Sequence, residues 1–187
     1  MGARLSLPLL SAVLAMTLVV FGSNILVVKE IAALNAYFGG EYFNYGQFVF
    51  PLAFLITDII NRTLGSRRAY VVIAAGFVVG GLLSIASGDM RVGLASISAF
   101  AIGQVLDVSI FNRLRAFAWW LGPLISSLIA GFIDTWIFYA GAFYGTDWPS
   151  WHIQAWIDYG IKVLVTLFAL IPFRLVISSL STLPTAR

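Results

Sequence analysis

The sequence predicts an all-α membrane protein of six transmembrane helices, on three observations: a scarcity of charge, apolar blocks of spanning length, and a lopsided placement of arginine. Only 10% of the residues are charged and 60% are hydrophobic, with a mean hydropathy of +0.96. A soluble domain carries about a quarter charged residues. This chain cannot cover a water-facing surface, so lipid must be its main solvent. A helix needs about 20 apolar residues to cross a bilayer core of about 30 Å. The apolar blocks have that length, and they are continuous rather than alternating, which excludes the strands of a membrane barrel. Their connections are short, so residues 1–187 are expected to form one six-helix transmembrane domain.

The first block, Leu7–Val28, follows Arg4 and superficially resembles a secretory leader. It is long, lacks a clear small-residue cleavage pattern and precedes five more blocks, so an uncleaved first helix is expected. A loop over Lys29–Tyr45 follows, with Gly39-Gly40 and the aromatic residues Tyr42, Phe43 and Tyr45. It is too polar to span, and two readings stand: an extended hairpin over an external vestibule, or an ordinary interfacial loop. The second block, Gly46–Asn61, is the shortest and is expected to begin nearer Tyr42. The third, Ala69–Ser87, carries Gly76, Gly80 and Gly81, small surfaces for close helix packing. The fourth is Val92–Phe111, the fifth Trp119–Phe143 and the sixth Trp156–Ser178.

On this plan one side of the membrane holds Arg4, Arg62, Arg67, Arg68, Arg113, Arg115, Arg174 and Arg187, whereas the other holds Lys29 and Arg91. The positive-inside rule then places both termini in the cytoplasm. This asymmetry accounts for the net charge of +3, and no nucleic-acid partner is expected. Trp119 and Trp120 at one end, with Trp148, Trp151 and Trp156 at the other, suit interfacial belts, whereas Trp136 lies mid-span.

Several chemistries are excluded or unsupported. There are no cysteines, so disulfide and thiolate chemistry is ruled out. The one histidine, His152, falls in an external loop, and neither an H-E-x-x-H zinc motif nor a phosphate-binding P-loop is present. No Ser/His pair converges. An enzyme is not expected, nor a metal or a cofactor.

The informative residues are polar ones inside the blocks. A charged side chain at a helix centre costs about 2.5–3.5 kcal/mol on insertion scales, yet Asp58, Asp107, Asp134, Asp158 and Lys162 lie within or near spans, with Asn24, Gln47, Gln104 and Asn112. They are expected to face the bundle interior. At 1.5 Å per residue, Asp58 and Asp107 fall in the cytoplasmic half, whereas Asp134 and Lys162 reach a similar depth further out and are able to pair. Asp158, one turn before Lys162, is a second partner for it but reads as interfacial. Gln104, Asp107 and Phe111 recur at helical spacing, so one face of the fourth block offers an amide, a carboxylate and a ring. That set suits a planar, nitrogen-rich solute, with Phe50 and Phe54 as further stacking candidates. An interhelical polar clamp is the alternative for the same residues.

Two stretches resemble a known family. Phe50-Pro51-Leu52-Ala53-Phe54-Leu55-Ile56-Thr57-Asp58 is similar to a hallmark of the queuosine precursor transporter family, also called the vitamin uptake transporter family. Gly103-Gln104-Val105-Leu106-Asp107-Val108-Ser109-Ile110-Phe111-Asn112-Arg113-Leu114-Arg115 is similar to its second hallmark. Ser23-Asn24, Trp119-Trp120-Leu121, Asp134-Thr135 and Asp158-Tyr159 with Lys162 follow the family order. The resemblance implies import of 7-cyano- or 7-aminomethyl-7-deazaguanine across the bacterial inner membrane, for queuosine in tRNA. It also implies a fold related to the substrate-binding components of energy-coupling-factor transporters. The expected substrate-binding residues are Asp107, Asp134, Gln104, Asp58, Asn24, Phe50, Phe54, Phe111 and Lys162. The expected partners are a small purine-like molecule, the lipid bilayer and, from the glycine-rich faces, a second copy of the chain. The competing expectation is a binding subunit for a vitamin-like molecule that needs a separate energising protein.

Overall fold

A computed structural model describes residues 7–40, 42–86, 89–148 and 150–181. Arg4, Arg187 and Ser87 lie outside the described residues. Among the described residues there are eight helices and no strand: α1 (Leu7–Leu26), α2 (Ala32–Phe38), α3 (Tyr45–Val49), α4 (Leu52–Leu64), α5 (Ser66–Ala86), α6 (Met90–Leu114), α7 (Leu121–Phe143) and α8 (Trp151–Ser181). Five of them, α1, α5, α6, α7 and α8, are long and apolar enough to cross a membrane. They occupy the first, third, fourth, fifth and sixth blocks.

The second block folds differently from the other five. It divides into α3 and α4 at Phe50-Pro51, where proline has no N–H to give the preceding turn. The Ala53 and Phe54 N–H groups turn instead to the Phe50 and Pro51 carbonyls, at 3.0 and 3.1 Å. Such a break is tolerated at membrane depth only where protein surrounds it. It is surrounded: α4 packs against α1, α5, α6, α7 and α8, and none of its residues is exposed. A helix shielded from lipid need be neither long nor uniformly apolar, which explains why this block was the shortest.

α4 is two-faced. Ala53, Ile56, Ile60 and Leu64, at helical spacing, join an apolar core with Leu9, Ala12, Met16 and Val20 of α1, Ala69, Val72 and Ile73 of α5, and Phe100 and Val108 of α6. Phe54, Thr57, Asp58 and Asn61 occupy the other buried face of α4. α5 seats itself in the apolar half through the expected small residue. A methyl group at Gly76 would come within 2.8 Å of the Phe100 ring and 2.9 Å of Met16.

Guanidinium groups tie the helix ends. At the arginine-rich end Arg62 donates to the Arg115 carbonyl at 2.8 Å, and Arg115 donates to the Asn61 and Arg62 carbonyls at 2.6 and 2.9 Å. Each cation thereby satisfies helix C-terminal carbonyls that lack intrahelical partners. At the opposite end Arg91 does the same for α7, donating to the Gly141 and Tyr144 carbonyls at 2.9 and 2.5 Å. These arginines have structural work beyond setting orientation.

The Lys29–Tyr45 loop is neither a plain hairpin nor irregular. It contains α2, and its two ends meet in an isolated antiparallel bridge between Glu30 and Asn44. Asn35 is its hub: the side-chain oxygen accepts from the Tyr42 and Phe43 N–H groups at 3.0 and 2.8 Å. Gln154 of α8 holds the loop down by donating to the Tyr42 carbonyl at 2.7 Å.

Candidate functional site

The polar face of α4 opens onto α6, α7 and α8, where two groups of buried side chains lie one above the other. The group nearer α2 is ionic. Lys162 Nζ of α8 lies 2.6 Å from Asp134 Oδ2 of α7 and 2.9 Å from Asp158 Oδ2 of its own helix. It also donates to Thr135 at 2.7 Å, and the Thr135 hydroxyl donates to Asp158 at 3.0 Å. The Phe50 ring covers the ammonium, 5.4 Å from its centroid. The Asp134–Lys162 pairing that depth alone suggested is therefore formed. Asp158, read from sequence as interfacial, is buried at 6% exposure, one turn before Lys162 and paired with it.

The second group lies nearer the arginine-rich end. Ser127 and Asp134 are separated by seven positions on α7, about 10 Å along the axis. Ser127 stands between two acids, its hydroxyl 3.3 Å from Asp58 of α4 and 3.4 Å from Asp107 of α6. One hydroxyl therefore reaches a carboxyl oxygen of each acid, which places Asp58 and Asp107 side by side. Thr57 donates to Gln104 Oε1 at 2.6 Å, which engages the amide oxygen and leaves Nε2 without a partner. Asp58, Asn61, Gln104 and Asp107 are all buried, at 2% exposure or less.

What distinguishes this second group is its unmet hydrogen-bonding capacity. Asp58 Oδ1, Asp107 Oδ2, Gln104 Nε2 and both polar atoms of the Asn61 side chain have no partner. Buried polar groups are ordinarily satisfied by protein or water, so this cluster is the candidate place for a solute or water to bind. Acceptors on two carboxylates beside donors on two amides form a mixed edge.

The space available is small. A cavity of about 10 Å³ lies among α4, α7 and α8, lined by Phe54, Asp58, Ser127 and Phe173 among others. It accommodates about one water, whereas drug-sized ligands occupy roughly 300 Å³ or more. The conformation is closed at this point.

Of the residues singled out from sequence, Asp58, Gln104 and Asp107 converge in the second group and Asp134 and Lys162 in the first. Phe50 caps the ammonium, and Phe54 lines the cavity. Phe111 is buried on the same face of α6, edge-on to Phe173 with centroids 6.3 Å apart. Asn24 is not brought into either group; its amide donates to the Val20 carbonyl of its own helix at 2.8 Å. Sequence reasoning passed over Thr57, Asn61, Ser126, Ser127 and Thr135. Each is uncharged and so lacks the membrane penalty that flags an acid, but Thr57 and Asn61 stand at helical spacing beside Asp58, and that signal was available.

Fold and site together define a multi-pass membrane protein with a lipid-shielded polar centre. A family described as "Putative vitamin uptake transporter" matches residues 82–177. The chain is 32% identical over 180 residues to the "Queuosine precursor transporter" of Escherichia coli (strain K12), covering 83% of this chain and 79% of that protein. It is 29% identical to a "Probable queuosine precursor transporter" of Haemophilus influenzae, over 68% of this chain and 65% of the relative. It is 28% identical to the protein of that same description in Bacillus subtilis (strain 168), over 79% and 75%. No solved structure is significantly similar. The chain belongs to the queuosine precursor transporter family, which makes it a bacterial membrane transporter.

Proposed function

We propose that this protein imports queuosine precursors, the 7-cyano- and 7-aminomethyl-7-deazaguanines, across the bacterial inner membrane through six spans with both termini in the cytoplasm. The observation that carries this reading is the set of unpartnered atoms at the second group. A 7-deazaguanine presents ring N–H and exocyclic amine donors beside a carbonyl acceptor. Asp107 Oδ2 accepts from the donors, and Gln104 Nε2, held outward by Thr57, donates to the carbonyl. Phe54 and Phe111 supply faces for the ring. Asp58 and Asn61 complete the edge. Asp134, Asp158 and Lys162 form the outer gate, above which Gln154 fastens the α2 loop.

Because the cavity is closed, binding requires α7 and α8 to part from α4 and α6. α8 is equipped for this, with Pro172 inside it one residue from Phe173. Transport then consists of opening this centre to one side at a time.

The test is restoration of queuosine in tRNA. A bacterium unable to make its own precursor is given the wild-type chain and each base in turn. Queuosine should return with wild type and stay absent with Asp107→Asn at equal membrane abundance. Failure of wild type with both bases rejects the function; full restoration by Asp107→Asn rejects the site.

A further inference from the structure

We infer that Asp58 and Asp107 hold one exchangeable proton between them, and that this proton travels with a neutral solute, making the protein a proton symporter. The inference rests on the transport reading for its second half and on hydrogen-bond counting for its first. Ser127 has one hydroxyl hydrogen and stands within reach of two carboxyl groups, so it serves only one as donor at a time. Each acid also keeps one buried carboxyl oxygen without a partner, Asp58 Oδ1 and Asp107 Oδ2. Two bare carboxylates held around one hydroxyl repel, whereas one proton between them lets Asp58, Asp107 and Ser127 form a hydrogen-bonded set.

No neighbouring cation removes the need for that proton. On α8 Lys162 lies against Asp134 and Asp158, and α7 itself contributes Asp134 and the Tyr139 hydroxyl, which faces Gln47 and Gln154. α1 brings no charged residue within Leu7–Leu26, and α3 none within Tyr45–Val49. On α4 and past α6, Arg62 and Arg115 are directed to main-chain carbonyls at the arginine-rich end. Arg67 and Arg68 head α5, with Arg68 donating to the Leu64 carbonyl. Arg113 lies in the last turn of α6, and Arg174 of α8 covers the Trp119 ring. The first group differs: there one ammonium is shared by two carboxylates, whereas here two acids meet a hydroxyl and no cation.

The unpartnered Gln104 and Asn61 amides beside the pair supply the independent sign of a ligand. A solute donating to one carboxylate leaves the proton on the other, so a neutral base crosses with a single positive charge.

Two measurements test this. Infrared difference spectra of the purified, solute-free protein at neutral pH should show a protonated-carboxyl band that the D58N/D107N double variant lacks. Its absence from wild type, or its survival in the double variant, overturns the shared proton whether or not any base is transported. Uptake of 7-cyano-7-deazaguanine into proteoliposomes at zero potential should reach about tenfold accumulation per unit of pH difference, acid outside, as one proton per solute requires. Accumulation that ignores the pH gradient, or that follows sodium in its place, overturns coupling and leaves transport standing. No uptake under any gradient, with the band present, rejects the transport reading and the coupling but retains the proton site.

Discussion

Gly103 of α6 lies directly against Asp134 of α7: a methyl group at position 103 would sit 2.9 Å from the Asp134 Cβ and 3.4 Å from Oδ1. The near atom is the root of the side chain, which has no freedom to swing aside. The glycine therefore sets how closely α6 and α7 approach at the depth of the ion pair. Gly103→Ala is expected to force the helices apart at an overpacking cost of about 1–3 kcal/mol and to displace Asp134 from Lys162. Thermal unfolding in detergent should show the loss, and uptake should fall with it. An unchanged melting temperature would mean that the backbone relaxes more easily than helix packing allows.

Lys162 offers a sharper test because it faces two acids. Removing the ammonium with Lys162→Met leaves Asp134 and Asp158 buried together, and breaking a buried pair by removing one partner costs about 3–5 kcal/mol. Asp158→Asn leaves the shorter 2.6 Å contact to Asp134 in place and should be milder. The double change Lys162→Met with Asp134→Asn should recover part of the loss. Unfolding measurements on the three variants give the ordering; equal losses for Lys162→Met and Asp158→Asn would mean that the ammonium is not the centre of the group.

The long helices were legible because lipid imposes a length and a composition that a sequence cannot disguise, and Asp134 with Lys162 was legible because depth follows from residue count. The interior of the second block was less so. Hydropathy treats every span as lipid-facing, whereas α4 is enclosed by five other helices and escapes that rule. The pairing of Asp158 was underweighted for a related reason: a position near a span's expected start reads as interfacial, but α8 begins at Trp151, earlier than hydropathy suggested. Ser127 was invisible because a hydroxyl between two acids is a fact of three helices meeting, and no single-helix pattern encodes it.

Thr57 is expected to act through Gln104. Its 2.6 Å hydrogen bond engages the amide oxygen and leaves Nε2 without a partner. Thr57→Val keeps the shape and deletes the donor, leaving a second orphaned atom at a cost of about 1–3 kcal/mol. With the amide free to rotate, half-saturation for 7-cyano-7-deazaguanine should rise about fivefold or more, with a smaller change in maximal rate. Thr57→Ser, which restores the hydroxyl, should recover affinity; a Thr57→Val variant with wild-type affinity would remove Gln104 from the recognition set.

The α2 loop is fastened at two points of different kinds, and they should fail differently. Asn35 satisfies main-chain N–H groups of Tyr42 and Phe43 within the loop, so Asn35→Ala should unravel it and speed protease cleavage there. Gln154 only ties the loop to α8, so Gln154→Ala should leave the loop folded but release it from the bundle. Limited proteolysis distinguishes them: rapid cleavage in Asn35→Ala and near wild-type cleavage in Gln154→Ala is the expected pattern. Equal resistance in both would mean that loop order comes from the Glu30–Asn44 bridge and the aromatic contacts instead.

The orientation can be read directly because the chain has no cysteine. Thr146, past the end of α7, and Ala116, between α6 and α7, are both exposed and lie at opposite ends of α7. Arg113 and Arg115 immediately precede Ala116 on the arginine-rich side, which the positive-inside rule assigns to the cytoplasm. In intact spheroplasts a membrane-impermeant maleimide should label Thr146→Cys at once and Ala116→Cys only after permeabilisation. The reverse pattern would invert the protein in the membrane, turning the α2 loop to the cytoplasm and making the gate proposed for uptake an exit. Labelling of both without permeabilisation would mean that α7 does not cross, and the six-span arrangement around α4 would have to be abandoned.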